Sequence, residues 1–549
     1  PEGDTEELRA LDKVLIEIEG KNVAATMGDY VLGIEGGPLA DFRRDATGAM
    51  LSASRGRADI MLAGARTAGQ FRTLTFLGVD GKQGAYLLTD ESGGTGVSVV
   101  AGSERVWVDG VKMVRGRDND YVIDYAGGAI EFTEHRPIVR ENEITVDYEF
   151  SSGDYQRDTY AGRASLTNAG GQALLGLSFF RELDDTGASA SASFSAKELA
   201  VLEAAGDNRE LAHDDGVDSV GVGNGDYDFV ETDTVSFFSY ADPPGSGSYN
   251  LHFERAGGGD YVYDYVTGHY IYAGEGEGDY SLGRYLPMPT DHGLAVVDGR
   301  LDLGRGGYVE ASGAVSDFDR NTYSTLDADD NLGNAQVISA ALPAIDVGVL
   351  DGAELGFSLD ARRVSGGFQG VGRFRELGYE ERWELQGLAV PNGEALLEGA
   401  SSLLLGGGGR VELSHAYLAR DDVLESTKTE LAAEGRPTEG GRLWGTGRFV
   451  KSRWTGVGSE VDRERTFYRG GFEQKVGPVR PGASYAHDER AEGDQGERYD
   501  EYGASLESAQ SGLVSFGASY ARRLTDRTDG SGWARASSTQ TQEYRLGAT

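Results

Sequence analysis

Hydrophobic and polar positions alternate one by one along much of this chain. From Leu513 to Arg522 one face carries Val514, Phe516, Ala518 and Tyr520, and the other Ser515, Gly517, Ser519 and Ala521. Tyr502, Ala504 and Leu506 alternate with Gly503, Ser505 and Glu507. Val411, Leu413, His415 and Tyr417 alternate with Arg410, Glu412, Ser414 and Ala416, and Tyr468, Gly470, Phe472 and Val476 with Arg469, Gly471, Glu473 and Lys475. A period of two is that of a β-strand, whose successive side chains point to opposite faces. Polar, glycine-rich turns such as 492–496 and 526–532 separate these runs. At about 18–20 residues per strand and turn, residues 290–549 hold roughly 12–14 strands. Lys13–Glu19, Tyr30–Glu35, Ala49–Ser54, Phe71–Leu77, Glu143–Phe150, Thr159–Thr167 and Ala173–Phe180 bring the total to roughly 20.

A soluble sandwich or solenoid and a membrane barrel share this period and differ in which face meets the surroundings. Here the second face is rich in glycine, serine and paired charges, which suits a lumen. Trp444, Trp454, Tyr468, Tyr502 and Tyr520 sit near strand ends, as an interfacial aromatic girdle requires. The expected fold is therefore all-β, a large antiparallel transmembrane-type β-barrel of about 20 strands with a small inserted β-module. Arg410, Glu412, Arg469, Glu473, Lys475 and Glu507 are the expected lumen-facing charges. The expected divisions are 1–85 (first barrel strands), 86–137 (inserted module, plugging the lumen or hanging in the periplasm), 138–202 (barrel strands), 203–289 (an insertion rich in glycine, tyrosine and aspartate) and 290–549 (barrel strands).

Within 86–137 the strands shorten to Val97–Val100, Arg105–Val108, Tyr121–Tyr125 and Ala129–Phe132, with hairpin turns at Asp109-Gly110 and Gly127-Gly128. Gly102-Ser103-Glu104-Arg105-Val106-Trp107-Val108-Asp109-Gly110, Arg115-Gly116-Arg117-Asp118-Asn119-Asp120-Tyr121-Val122-Ile123-Asp124-Tyr125 and Gly128-Ala129-Ile130-Glu131-Phe132 together resemble a motif of large bacterial outer-membrane β-proteins. That family includes the translocon barrel of the type IX secretion system and uncharacterised relatives. The resemblance covers about 50 residues closely, and this chain is far shorter than the translocon. It implies an outer-membrane setting and a conduit, and a structural role for the motif's own residues.

The second break, 203–289, follows a short helix expected at Ala196–Ala205. Gly-Asp-Tyr occurs five times, at Gly28, Gly153, Gly225, Gly259 and Gly278, and the expectation is a recurring turn in which glycine permits a tight or left-handed bend. The sharper alternative is a carbohydrate platform built from Tyr263, Tyr265, Tyr270 and Tyr272.

Charge narrows the picture. Ninety acidic residues against 51 basic give −39, which argues against nucleic acid. With no cysteine, disulfides, thiolate zinc sites and cysteine nucleophiles are excluded. No apolar run has the length of a transmembrane helix, a test that leaves β-barrels untouched. The chain opens at Pro1, which fits a removed leader, and ends Tyr544-Arg545-Leu546-Gly547-Ala548-Thr549 without the terminal aromatic expected of bacterial barrels.

Catalytic signatures are missing. The seven histidines (His135, His213, His252, His269, His292, His415 and His487) are scattered, and there is no His-Glu-x-x-His, Gly-x-Ser-x-Gly or phosphate loop. Calcium is the one cofactor candidate. Asp327, Asp329, Asp330 and Asn331 crowd one loop and Asp214, Asp215 and Asp218 another, without matching an EF-hand. The expectation is a non-catalytic outer-membrane or cell-surface conduit for a solute or polypeptide, contacting outer-membrane lipid. The alternatives are a secreted or surface β-protein that self-assembles as a homo-oligomer, tube or filament, and, third, a surface glycan binder or adhesin.

Overall fold

In a computed structural model the alternating segments form one antiparallel sheet of 20 strands, with smaller sheets in two insertions. The structure describes residues 14–548 apart from 68, 91–93, 95–96, 141, 152–154, 188–193, 349–351, 389, 457–458, 509–513 and 531. Lys13, Gly153, Asp154, Leu513 and both chain ends, which enter the expectations above, lie outside the described residues.

Strands of the large sheet pair with their chain neighbours, from Leu15–Glu19 against Val23–Ile34 to Val514–Thr528 against Ala534–Ala548. Two joints skip an insertion: Ala58–Thr67 pairs with Gln156–Thr167, and Ala173–Asp185 with Asp291–Gly304. Short turns such as 56–57, 168–172 and 305–306 close one rim, whereas the three longest excursions, 68–155, 186–290 and 365–393, all leave from the other.

Each strand shows its two faces. In Gly409–Arg420, Ser414, Ala416, Leu418 and Arg420 are buried, while Leu413, His415 and Tyr417 are exposed. The buried face is concave. Tyr30, Phe42, Ala63, Ala161, Phe180, Leu294, Ala314, Ala335 and Val364 come from nine consecutive full-length strands, yet share one cluster. At about 4.8 Å per strand those positions would span roughly 40 Å on a flat sheet, so the sheet curls into a barrel wall.

The inserted module is wider than the expected 86–137. Phe71–Leu77 and Glu143–Phe150 belong to it rather than to the wall: Gln70–Leu77 pairs with Glu143–Ser151, which also pairs with Arg105–Val108. Eight of the nine residues in Glu143–Ser151 are buried, so both faces of this strand are covered. Within the expected run of barrel strands, residues 365–393 also leave the wall as a strap with one helical turn, Tyr379–Arg382.

The helix Ala196–Ala205 forms as expected. Its N-terminus is closed by a capping box in which Ser195 Oγ accepts from Glu198 N–H and the Glu198 carboxylate accepts from Ser195 N–H. It leads to a lobe of two four-stranded sheets. Here the Gly-Asp-Tyr triplets are not turns. A Cβ on Gly278 would lie 2.3 Å from the Tyr261 carbonyl oxygen, and one on Gly259 2.3 Å from Tyr280 backbone atoms. Glycine lets two strands approach closely at these positions.

Candidate lumen and its occupants

The outward positions of Asp291–Gly304 are Gly293, Ala295, Val297, Gly299, Leu301 and Leu303, with Asp291 at the rim. Ten residue steps of about 3.3 Å, at the 35–45° tilt usual for membrane barrels, give a height of about 25 Å. Neighbouring strands continue the band. Val297, Leu413 and Phe449 are 52%, 47% and 51% exposed, and Phe179, Val315, Leu359, Leu431 and Phe472 are exposed as well. Outward ion pairs gather at the rim of long excursions, Arg181–Asp291 at 2.6 Å and Arg453–Asp462 at 3.1 Å.

The inner face is charged and largely buried, and the strap is fastened to it by three clamps. Glu394, with a fully buried side chain, meets Arg362 at 2.5 Å, Arg375 of the strap at 3.0 Å and Arg420 at 3.7 Å, and accepts from Tyr379 Oη at 3.2 Å. Lys428 lies 3.4 Å from Glu398 and 3.3 Å from Glu430, and its ammonium is 4.9 Å from the centre of the Trp383 ring. Arg465 pairs with Asp488 at 2.8 Å and Glu384 at 2.9 Å, and also with Glu381. Burial works against the Glu381 charge, but Arg465, Arg448 and Arg490 outweigh it and hold its carboxyl below the usual range.

The module meets both strap and wall. Arg373 of the strap donates to Asp147 at 3.3 Å and lies over the Trp107 ring. Arg44 of the wall donates to the strap carbonyl of Val371 and packs over Phe71. Arg140 bonds both oxygens of Glu497 in the wall strand Gln495–Ser508, far along the sheet from the joint where the module enters. Contacts to wall strands far apart along the curled sheet place the module against its inner face. Glu143 Oε2 accepts from Glu381 N–H at 2.9 Å, and burial, reinforced by the charges of Glu381 and Glu380, pushes its carboxyl up to about 7. Burial and the Glu182 charge push Glu149 up to about 7 as well, against the pull of Arg44.

Arg410, Glu412, Arg469, Glu473 and Glu507 take the inner parity of their strands, with Arg410 and Glu412 paired at 2.6 Å. Lys475 lies beyond the end of its strand, where its N–H bonds Gly440 O at 2.9 Å, so it is a rim residue. Tyr468, Tyr502 and Tyr520 point outward and are 40%, 52% and 38% exposed. Trp444 and Trp454 do not join them. They share the inner parity of Val450 and Ser452; Trp444 packs under Arg469, and Trp454 against the cluster around Trp383. Asp327, Asp329, Asp330 and Asn331 lie in the excursion between Gly307–Asp319 and Leu332–Ala341, and among the described residues no group of three or more His, Cys, Asp or Glu is placed to hold a metal. In the lobe, Tyr263 packs edge-on against Tyr265 and Tyr270, and Tyr272 stacks on Phe237, while Tyr265 stays largely exposed. Sequence reasoning missed the strap and its clamps; its one local signal is the loss of alternation over 365–393 amid Arg373, Arg375, Glu380, Glu381 and Arg382.

A family described as a domain of unknown function (DUF8818) matches residues 71–152, the span of the module. No curated protein matches. Among solved structures, the chain resembles the FrpB iron transporter of Neisseria meningitidis (F3-3 variant), at 8% identity, TM-score 0.30, covering 96% of this chain and 64% of that one. It also resembles the P pilus usher (PapC) translocation pore, at 9% identity, TM-score 0.26 and 98% of each chain. A third likeness is to OmpT, an outer membrane protein of Vibrio cholerae, at 10% identity, TM-score 0.21, covering 49% of this chain and 91% of that one. The chain spans about three fifths of the length of the FrpB structures. At these scores the likenesses carry no argument, and the type IX translocon resemblance gains nothing from them.

Proposed function

We propose that this chain is a bacterial outer-membrane β-barrel whose lumen is a conduit obstructed by the module and the strap. The observation that carries the reading is the exposed apolar band on the outer face, about 25 Å high, set against a buried charged inner face. A soluble β-protein of this size buries that face, because each fully buried Leu or Phe contributes about 1.5–3 kcal/mol. Outer-membrane lipid is thus the partner of the outer surface, and the clamps hold the obstruction until a solute, polypeptide or second protein displaces it. The reading assigns no covalent chemistry to any residue.

Heat-modifiable migration of the full chain in detergent gels, extraction only by detergent, and single-channel conductance in planar bilayers test it. The expected result is a compact unboiled band and small pores that widen when strap clamps are cut. A monomer soluble without detergent would sink the reading.

A further inference from the structure

The interior carries charge of the opposite balance to the chain as a whole. Three cavities of about 710, 610 and 720 Å³ lie between module, strap and wall. The first and second share Phe71, Gly372 and Arg373, and the second and third share Glu143 and Gly378, so they form one continuous crevice. Fifteen arginines line it against eleven aspartates and glutamates. The whole chain has 51 basic residues against 90 acidic. In a low-dielectric, partly enclosed space a surplus of guanidinium groups sets the sign of the field that a passing ion meets.

Nine of these arginines are ion-paired, four of them in the clamps, and six have no ion pair among the described residues. Arg44 is 3% exposed, has no carboxylate within 4 Å among the described residues, and keeps a buried Nε without a partner. Arg105 of the module lines the same cavity, exposed and likewise without an ion pair among the described residues. In the third cavity Arg469 is exposed, resting on the Trp444 ring with no carboxylate partner among the described residues. Guanidinium groups without a direct ion pair therefore stand in both end cavities, although Glu149 and Glu182 act on Arg44 at longer range.

We propose that this crevice is a binding lane for soluble anions bearing carboxylate or phosphate groups, with Arg44 and Arg105 in one end cavity and Arg469 in the other. It rests on the conduit reading only for what passes through; occupancy by an anion does not need an open pore. Guanidinium forks match both groups by paired hydrogen bonds. The acidic remainder of the chain repels such solutes, so the lane selects multivalent anions that gain enough inside to offset the approach.

Two measurements on the detergent-folded full chain test this. In calorimetric titration at fixed ionic strength, inorganic pyrophosphate and citrate bind saturably and spermidine does not. Arg105→Gln and Arg469→Gln each weaken binding at least fivefold while keeping the heat-modifiable band. In planar bilayers under a KCl gradient, the reversal potential reports preference for chloride, and the double variant R105E/R469E abolishes it. No saturable anion binding, affinity unchanged in both variants, or cation-selective wild-type pores would each overturn the proposal, the last leaving the conduit standing. Anion binding without any conductance would support the lane and refute the conduit.

Discussion

The module and the lobe are both β insertions leaving the same rim, and each contains the same hairpin. In the module it reads Asp120-Tyr121-Val122-Ile123-Asp124-Tyr125 up to Phe132; in the lobe, Asp260-Tyr261-Val262-Tyr263-Asp264-Tyr265 up to Tyr272. The register is identical: Tyr121 faces Phe132 and Tyr261 faces Tyr272. The first aspartate accepts a distant backbone N–H, Val114 at 2.7 Å or Gly276 at 2.9 Å. The second accepts the N–H two residues on, Ala126 at 3.0 Å or Val266 at 2.8 Å. Gly128 and Gly268 both take the left-handed conformation, φ +60° and +78°.

The surroundings differ. Tyr125 bonds the buried Glu104 carboxylate, whereas Tyr265 is 86% exposed. The module core is mainly aliphatic (Val106, Val108, Ile130, Ile144, Val146) and its edges are tied to strap and wall. The lobe stacks rings, with Phe253 on Tyr270 and Tyr240 on His269, and its halves exchange bonds: Tyr261 Oη accepts from Phe238 N–H and Tyr227 Oη from Tyr270 N–H. Local rules build the hairpin, and the charges around it decide whether it stands free or is held in the barrel.

Excising each insertion gives the sharpest contrast. Removing 71–150 should raise single-channel conductance more than tenfold, while removing 217–283 should leave it unchanged; equal effects would end the distinction. Arg465→Ala removes the one cation bonded to Asp488, Glu381 and Glu384 together, leaving Arg490 and Arg448 at 3.3–3.6 Å as the cations beside Glu381 and Asp488. It should destabilise the strap by about 3–5 kcal/mol, read as new protease cleavage within 365–393, and leave the lobe's hydrogen exchange untouched.

The pH response near neutrality should also set the module apart from the lobe. Because the Glu143 carboxyl titrates near 7 when folded and near 4.5 when free, the folded state binds the extra proton between those values. Its contribution to module docking is therefore most favourable below about 4.5, weakens as pH rises, and is lost above 7. Glu149 titrates in the same range, so Glu143→Gln should remove only its own share of that dependence and strengthen docking at pH 8, by on the order of 3 kcal/mol, in denaturant titrations.

Gly278→Ala should cost the lobe roughly 1–3 kcal/mol by forcing a Cβ onto Tyr261. Tyr261→Phe should cost about 1 kcal/mol by orphaning the Phe238 N–H. Both are read by hydrogen exchange, with conductance unaffected.

Much of the wall was legible in the sequence because alternation such as Leu413, Ser414, His415 and Ala416 records burial directly. Assigning a strand to wall or module was not legible from the same signal: Phe71–Leu77 alternates like any wall strand, and only its pairing with Glu143–Ser151 removes it. The strap clamps were illegible for another reason, since Glu381 and Arg465 stand 84 residues apart. The inward turn of Trp444 was readable by parity, as it shares the face of Arg448 and Val450 while Leu443 and Phe449 take the other. Position near a strand end says nothing about face.

Four of the 20 wall strands precede the module in the chain and 16 follow it. Whatever machinery assembles this protein thus meets the filling before most of the staves, and rounding up the cylinder means wrapping later strands about a core already in place. On the conduit reading, the segment that obstructs the finished lumen is thus present before most of the wall that encloses it.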